Sequence, residues 1–481
     1  MDKYFFVERS SGLPVAKGES TCRLGRRDSP AFIEWKWDGQ KLEAANDRYG
    51  IYPAYYFSTE DRFAISPSID LLLRLTGATE FDDDAFAVAL RLGSNLGNDT
   101  MFRHIKALPS DSTLVWENGE LNISSKPRPR FSPMLITRAD AIMEYDSRFR
   151  RAIESSMPVS GATAIPLSGG RDSRHILFEL LRMGPPPDAC LTIRRPPPAG
   201  NEDVRIARLI CEKVGVPHHE IAPELDRFAA EMEKNVETGY SVQEHGWFVG
   251  LARFVGDRWD TVYDGLAGDV LSAGLYLDPD RLRWFRDGDL TSLAESILGP
   301  EGYIPLILSS DSLSRFSRER ASARLQIELA RHTDSPNPVA SFYFWNRTRR
   351  CVALSPFRLL KNVPNIVTPY LEPDLFDFLS SLPAEMMLDH SFHTETIAYA
   401  YPEYSDIPYE NKRPGHLQRR DGSSFGHNAL CRLALSPRQQ LVTRRSFFMS
   451  RWLLGRVSGS VRTSFDSFLE IATGLLQLER L

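Results

Sequence analysis

The sequence predicts an α/β protein in two parts: a strand-rich front, then a longer part that alternates strand and helix before turning mostly helical. Three observations predict it. Short β-type runs separated by Gly, Asp and Asn turns recur through the first 125 or so residues. A polar, basic, Pro-rich stretch, Ser124 to Pro133, then interrupts the pattern and reads as a linker. Beyond it, apolar strand runs are spaced by amphipathic helices, the pattern of a parallel sheet covered on both faces. The expected divisions are 1–125, a linker over 126–137, and 138–481.

In the front part, strands are expected at Tyr4–Val7, Ala31–Trp35, Tyr52–Phe57 and Thr113–Trp116, and one helix over about Asp83–Leu92. Turns fall at Trp37-Asp38-Gly39, Asn46-Asp47 and Glu117-Asn118-Gly119. In the second part, Ala162–Leu167 reads as a strand ending in a glycine turn. A helix follows, with Ile176, Leu177, Leu180 and Leu181 on one face and Gly184-Pro185 as its stop. Ala189–Ile193 is the next strand. A Pro-rich loop leads to Asn201 as N-cap, with Glu202 and Asp203 in the first turn, where the helix dipole favours acids. Val204, Ala207, Cys211 and Val214 are expected on that helix's buried side. His219–Ala222 and Trp259–Tyr263 read as further strands, and residues from about 270 onward as mostly helical.

Composition bounds the function. A chain of 481 residues corresponds to two or three domains. Charged residues at 25% and apolar residues at 42% are ordinary globular values. A net charge of −5 and a pI near 6.1 argue against a nucleic-acid binder held by bulk electrostatics. No run approaches the roughly 18 apolar residues of a membrane span, and the N-terminus lacks the pattern of a secretory signal. Five scattered cysteines without a CxxC pair point to reduced thiols, with no disulfide or zinc framework, in a cytoplasmic protein.

The segment that carries chemistry is Pro166-Leu167-Ser168-Gly169-Gly170-Arg171-Asp172-Ser173-Arg174, between a strand and a helix. Gly169 and Gly170 let the backbone turn tightly and bring N–H groups to a ligand. Ser168 and Ser173 add hydroxyls, and the helix start directs its partial positive end into the turn. Together these suit phosphate or pyrophosphate. Asp172 is a poor phosphate contact but a natural Mg²⁺ ligand, the ion then bridging to phosphate oxygens. The GxxxxGK[ST] spacing of a kinase-type nucleotide loop is absent.

This SGGxDS string resembles the pyrophosphate-binding loop of the asparagine synthetase family. Tyr263-Asp264-Gly265-Leu266-Ala267-Gly268-Asp269-Val270-Leu271-Ser272-Ala273-Gly274 is similar to that family's SGEGADELFGG element. Thr368–Pro383 is similar to its PFLDxELxxFxxSLP, and Tyr409–Gly415 to its late lysine loop. In front, Asn46–Tyr56 resembles the NDRFGxxPLYY of class II glutamine amidotransferase domains, and Phe102–Pro109 their closing segment. The likeness spans about residues 1 to 420. It implies an Ntn-hydrolase-like antiparallel β-sandwich, then a parallel-sheet PP-loop (adenine nucleotide alpha hydrolase-like) domain with a helical C-terminal part. It further implies ATP with Mg²⁺. Leu167, Ser168, Gly169, Gly170, Asp172, Ser173, Ile193 and Gly265 would hold the nucleotide, Asp172 and Asp269 the metal, and Lys412 would offset phosphate charge, with Arg413 as a second cation.

The family pattern breaks in two places. Glutamine hydrolysis uses an N-terminal cysteine whose own α-amine serves as base. Position 2 is Asp2, and Cys22 is internal. The front part therefore reads as a degenerate glutaminase. That matches members lacking this cysteine, such as β-lactam synthetase and lasso-peptide cyclase. The acids of SGEG and ADE are replaced by Leu266 and Val270, so the proton of the attacking amine must go elsewhere; Glu372, Glu244 and His245 are the candidates. Arg171 and Arg174 stand where many relatives have apolar and Ser residues. They suit phosphate or a substrate carboxylate, as do Arg194 and Arg195 in the Pro-rich loop.

The function expected is an ATP-dependent, AMP- and pyrophosphate-forming amide-bond ligase. It would adenylate a small-molecule or peptide carboxylate and pass the acyl group to an amine, with neither nucleic acid nor membrane as partner. Two alternatives stay open: an intramolecular macrolactam- or β-lactam-forming cyclase, and a non-catalytic nucleotide-binding paralogue. Homodimerisation stays open as well.

Overall fold

Residue-by-residue alternation of burial decides how the front strands stack. In the computed structural model, which describes all residues except 1, 11–12, 27–28, 158–159, 185, 196–200, 242–244, 411–424, 436–443 and 464–466, they are β1 (Phe5–Ser10), β2 (Leu13–Gly18), β3 (Thr21–Leu24), β4 (Ile33–Trp37), β5 (Lys41–Asn46), β6 (Tyr55–Ser58), β7 (Arg62–Ser66), β8 (Ile105–Ala107), β9 (Ser112–Glu117) and β10 (Glu120–Ser125). They form two antiparallel five-stranded sheets, β2-β1-β7-β6-β8 and β10-β9-β5-β4-β3. Phe5, Val7, Phe63 and Ile65 of one sheet share a core with Ile33, Trp35, Leu42, Leu114 and Trp116 of the other, which makes a β-sandwich. Helix α1 (Ile69–Thr76) lies on β6 and β7, and α2 (Asp83–Leu92) follows at the expected position.

The Asn46-Asp47 turn shows why the front motif reads as it does. The Asp47 carboxylate is buried and accepts from four amides: Tyr49 at 2.9 Å, Ile51 and Tyr52 at 3.0 Å, and Phe32 at 3.2 Å. Asn46 donates to the Pro109 carbonyl at 2.8 Å and accepts from the Ser112 amide at 3.0 Å. This claims the Tyr52 amide, so β6 begins at Tyr55 instead of Tyr52. Gly50 adopts φ +59°, and a Cβ there would come within 3.0 Å of the Arg349 guanidinium. Arg349, from the helical region, is buried and donates to the carbonyls of Gly50 (3.1 Å), Gly97 (3.2 Å) and Leu108 (2.9 Å). Arg48 reaches Asp377 at 2.6 Å. Asp2 meets Arg358 at 3.1 Å and Lys361 at 3.4 Å.

Past the Pro-rich stretch, α3 (Arg138–Ser156) precedes a parallel sheet. Its strands are β11 (Thr163–Pro166), β12 (Ala189–Ile193), β13 (His218–Ile221), β14 (Thr261–Tyr263) and β15 (Asn365–Val367), in the order β13-β12-β11-β14-β15. The intervening helices are α4 (Asp172–Met183), α5 (Glu202–Val214), α6 (Arg227–Glu237) and α7 (Phe248–Val255), and α8 (Gly268–Ser272) follows β14. β15 has no counterpart in the sequence reading. It is three residues long, and its pairing with β14 joins segments about a hundred residues apart, so local pattern carries no trace of it. Asn201 precedes α5 but caps none of its amides; its side chain instead accepts from the Arg195 amide at 2.8 Å. Val214 is only partly buried, whereas Val204, Ala207 and Cys211 are in the core. No helix among the described residues is long and apolar enough to cross a membrane. The five cysteines form no disulfide.

Because Asp47 satisfies four amides from inside the sandwich, Asp47→Ala should cost about 3–5 kcal/mol, far more than an exposed carboxylate. Chemical denaturation of the purified variant checks this. A loss below about 1 kcal/mol would mean those amides find other partners.

Candidate functional site

The C-terminal ends of β12, β11 and β14 open onto a cavity of about 580 Å³. Ligands of open parallel sheets sit at this edge. Leu167 to Asp172, the turn after β11, forms its floor. Leu191, Thr192 and Ile193, ending β12, continue one wall, and Trp247, Phe248 and Leu251 make it apolar. Asp269 and residues 273–276 form the opposite wall. Arg195, Asp203, His390, Tyr409 and Glu410 close the rim.

The loop amides are not all available to a ligand, contrary to expectation. Ser168 N–H donates to Ser173 Oγ at 3.2 Å, Gly170 N–H to Ser168 Oγ at 3.2 Å, and Gly169 N–H to Asp203 Oδ1 at 2.9 Å. Asp203 reaches the loop because it stands in the first turn of α5, which packs alongside. What remains for an anion is the start of α4: Arg171 occupies its N-cap and no side chain caps it.

Asp172 sits at that start, 23% exposed. A Cβ on Gly265 would come within 2.7 Å of the Asp172 Cβ, and one on Gly268 within 2.6 Å of its carboxyl, so only glycine at both places lets the turn after β14 pack against this side chain. The Asp269 amide offers Asp172 a backbone hydrogen bond. Burial first, then the Asp269 charge, raises the Asp172 carboxyl well above the usual carboxylate range. Asp264, directly after β14, is half-buried, and desolvation pushes it up to about 6. Behind Asp172 lies a buried polar cluster. Tyr370 O–H donates to the Asp172 carbonyl at 3.2 Å. His393 Nε2 lies 3.1 Å from His175 Nδ1, and its Nδ1 lies 3.0 Å from Ser272 Oγ. That Nδ1 is also 3.5 Å from Asp172 Oδ1, too long for a hydrogen bond of consequence. Burial keeps both imidazoles neutral, His393 down to about 3, so no ion pair compensates Asp172. Its Oδ1 is left without a hydrogen-bond partner.

An orphaned buried carboxylate oxygen beside a second acid is a fit for a hard cation. Among the described residues no group of three or more His, Cys, Asp or Glu forms a metal cage. That is the donor set Mg²⁺ accepts when phosphate oxygens and water complete its shell.

Leu167, Ser168, Gly169, Gly170, Asp172, Ile193 and Asp269 thus line one cavity. Ser173 and Gly265 lie beneath the loop and buttress it. Lys412, Arg413 and Glu244 fall outside the described residues. Leu266 and Val270 are core residues at 3% and 1% exposure. Neither proposed proton acceptor that is described lines the cavity: His245 pairs with Ser355 at 2.8 Å, and Glu372 opens the helix Pro373–Ser381. Arg195 lines the cavity, while Arg194 turns to Glu220 at 2.8 Å. Sequence reasoning missed His390, Tyr409, Trp247 and the Tyr145–His175–Ser272–Tyr370–His393 cluster. The one legible hint was His175, a polar residue on the apolar face of α4.

The raised Asp172 carboxyl has a measurable consequence. The fold holds its un-ionised form best, so its share of stability is present at acid pH and lost as pH rises through the raised value. In chelator-treated protein the Tm should therefore fall from acid toward neutral pH. Asp172→Asn, which keeps the shape without the charge, should flatten that fall. An unchanged slope would remove Asp172 as its source.

No curated protein matches the chain. A solved structure of the allosteric regulatory enzyme of purine biosynthesis matches at 8% identity and a TM-score of 0.15, over 40% of this chain and 47% of that one, less than half its length; so slight a likeness carries no argument. The asparagine synthase family model matches residues 144–346, which contain the SGGxDS loop, both carboxylates and four of the five parallel strands. Over that segment, less than half of its length, the chain is similar to the asparagine synthase family.

Proposed function

We propose that the chain is an ATP-dependent, AMP- and pyrophosphate-forming amide-bond ligase, adenylating a small-molecule or peptide carboxylate and passing the acyl group to an amine. The observation that carries this reading is the convergence, in one cavity, of the uncapped start of α4, the Asp172/Asp269 pair and an apolar wall of Ile193, Trp247, Phe248 and Leu251. The helix start suits phosphate, the apolar wall suits a flat base, and the carboxylates suit the cation that travels with a triphosphate. Mg²⁺ bound there would neutralise phosphate charge. The chain's own part is to hold the nucleotide in line for attack by a carboxylate and to keep water out of the apolar half. Lys412 is assigned to the same phosphates on its motif alone. Activation is needed because a carboxylate is a poor electrophile and adenylate is a good leaving group.

The front part is assigned no glutaminase activity. Asp2 stands where the nucleophilic thiol would be, and its carboxylate is ion-paired: burial raises it, but Arg358 and Lys361 hold it below the usual range. Such a group cannot attack an amide as a thiolate does. A second reading, nucleotide binding without catalysis, draws on Leu266 and Val270, whose burial leaves no proton acceptor at either position.

ATP–pyrophosphate exchange with a panel of carboxylates tests the ligase. Exchange is expected with at least one acid, and Asp172→Ala should lower it by about a hundredfold or more. Nucleotide binding with no exchange and no AMP from any acid would favour the non-catalytic reading.

A further inference from the structure

We propose that Arg171 is a pyrophosphate-holding residue: it grips the phosphate end of the bound nucleotide from the N-cap of α4. The proposal rests on the nucleotide reading above and assigns a cation to it that the loop motif does not contain.

Arg171 follows Gly170, precedes Asp172 and lines the cavity. Its Nε donates to Thr394 Oγ1 at 2.6 Å, and its guanidinium carbon stands 5.4 Å from the centre of the Tyr409 ring. These two contacts orient the side chain, yet among the described residues no carboxylate pairs with it and no acceptor takes up its terminal nitrogens. That is unusual for this chain. Arg48 pairs with Asp377, Arg91 with Glu301, and Arg138 with Glu395.

The arginine one turn on, Arg174, shares the feature and explains the placement. It is 1% exposed and stands 4.0 Å from the same Tyr409 ring. It donates to the carbonyls of Ile407 at 3.1 Å, Pro408 at 2.8 Å and Gly169 at 3.4 Å, and its Nε has no partner. The Glu410 amide donates to the Gly169 carbonyl at 3.0 Å. Arg174 therefore ties the 407–410 segment to the loop and sets Tyr409 beside Arg171. Two guanidinium groups at one helix start, neither hydrogen-bonded to a described carboxylate and only Arg171 close enough to Asp172 to feel its charge, leave donors that suit an anion. An oriented, rigid fork meets that demand by two parallel hydrogen bonds to phosphate oxygens. The position next to Asp172 selects phosphate over a more distant acid: the oxygens that share the Asp172 cation are the ones within its reach.

Calorimetric titration with sodium pyrophosphate in the presence of Mg²⁺, and separately with AMP, tests this on the full chain. Arg171→Met should weaken pyrophosphate binding about ten- to a hundredfold, the range for losing charged hydrogen bonds, and leave AMP within about twofold. Arg171→Lys should recover part of the loss, because it restores charge without the fork. Thr394→Val, which frees the guanidinium without removing it, should fall between. Pyrophosphate affinity unchanged in Arg171→Met overturns the assignment. So does an equal loss of both ligands, which would mark a structural role. Wild type that binds AMP but not pyrophosphate overturns it too. Wild type that binds neither overturns the nucleotide reading itself and this inference with it.

Discussion

Asp172 meets the cavity only because two glycines let a second strand end close on it. With any side chain at 265 or 268 the turn after β14 would collide with the Asp172 side chain, and the two carboxylates could not face one cavity. From that contact the rest of the site follows. Packed from one side by the glycine turn and from behind by Tyr370, His393 and His175, the carboxyl loses water, and the neighbouring Arg171 charge offsets only part of that cost. A buried, unpaired acid is costly unless a cation accompanies it. The neutral state of both histidines matters here, since an imidazolium at that distance would satisfy the acid and remove its use as a ligand.

The loop itself is braced before any ligand arrives. Ser168, Ser173 and Asp203 take up three amides that a flexible loop would leave to water. Asp203 brings negative charge to the loop, and Arg171 and Arg174 bring positive charge on its other side. A preformed loop would lose little ordering entropy on binding an anion, so more of the contact energy would appear as affinity.

The sandwich is joined to the parallel-sheet part through buried hydrogen bonds, not through a loose contact. Arg349 donates into three carbonyls of the front part, and the turn held by Asp47 presents one of them, that of Gly50. Asp2, at the position that would carry the thiol, is tied to Arg358 and Lys361 from the helical region. The front part thus contributes packing to the same framework that positions the cavity.

Legibility differed by element and by range. The helix Asp83–Leu92 and the strand Ala189–Ile193 could be read to the residue, because periodicity and glycine stops are local. The turn at residues 167–172 was legible for the same reason: glycines, hydroxyls and an acid at fixed spacing lie between a strand and a helix. β15, the bracing of Gly169 by Asp203, and the rim formed by His390 and Tyr409 were not legible, because each depends on a partner far away in the chain. Taken alone, the order of residues determined that a strand, a glycine turn leading to Asp172 and a helix stand in succession. Tertiary structure alone decided that the glycines after β14 fit against that acid and that its oxygen is left unpaired. Desolvation and close contact are properties of the packed whole, and no stretch of chain contains them.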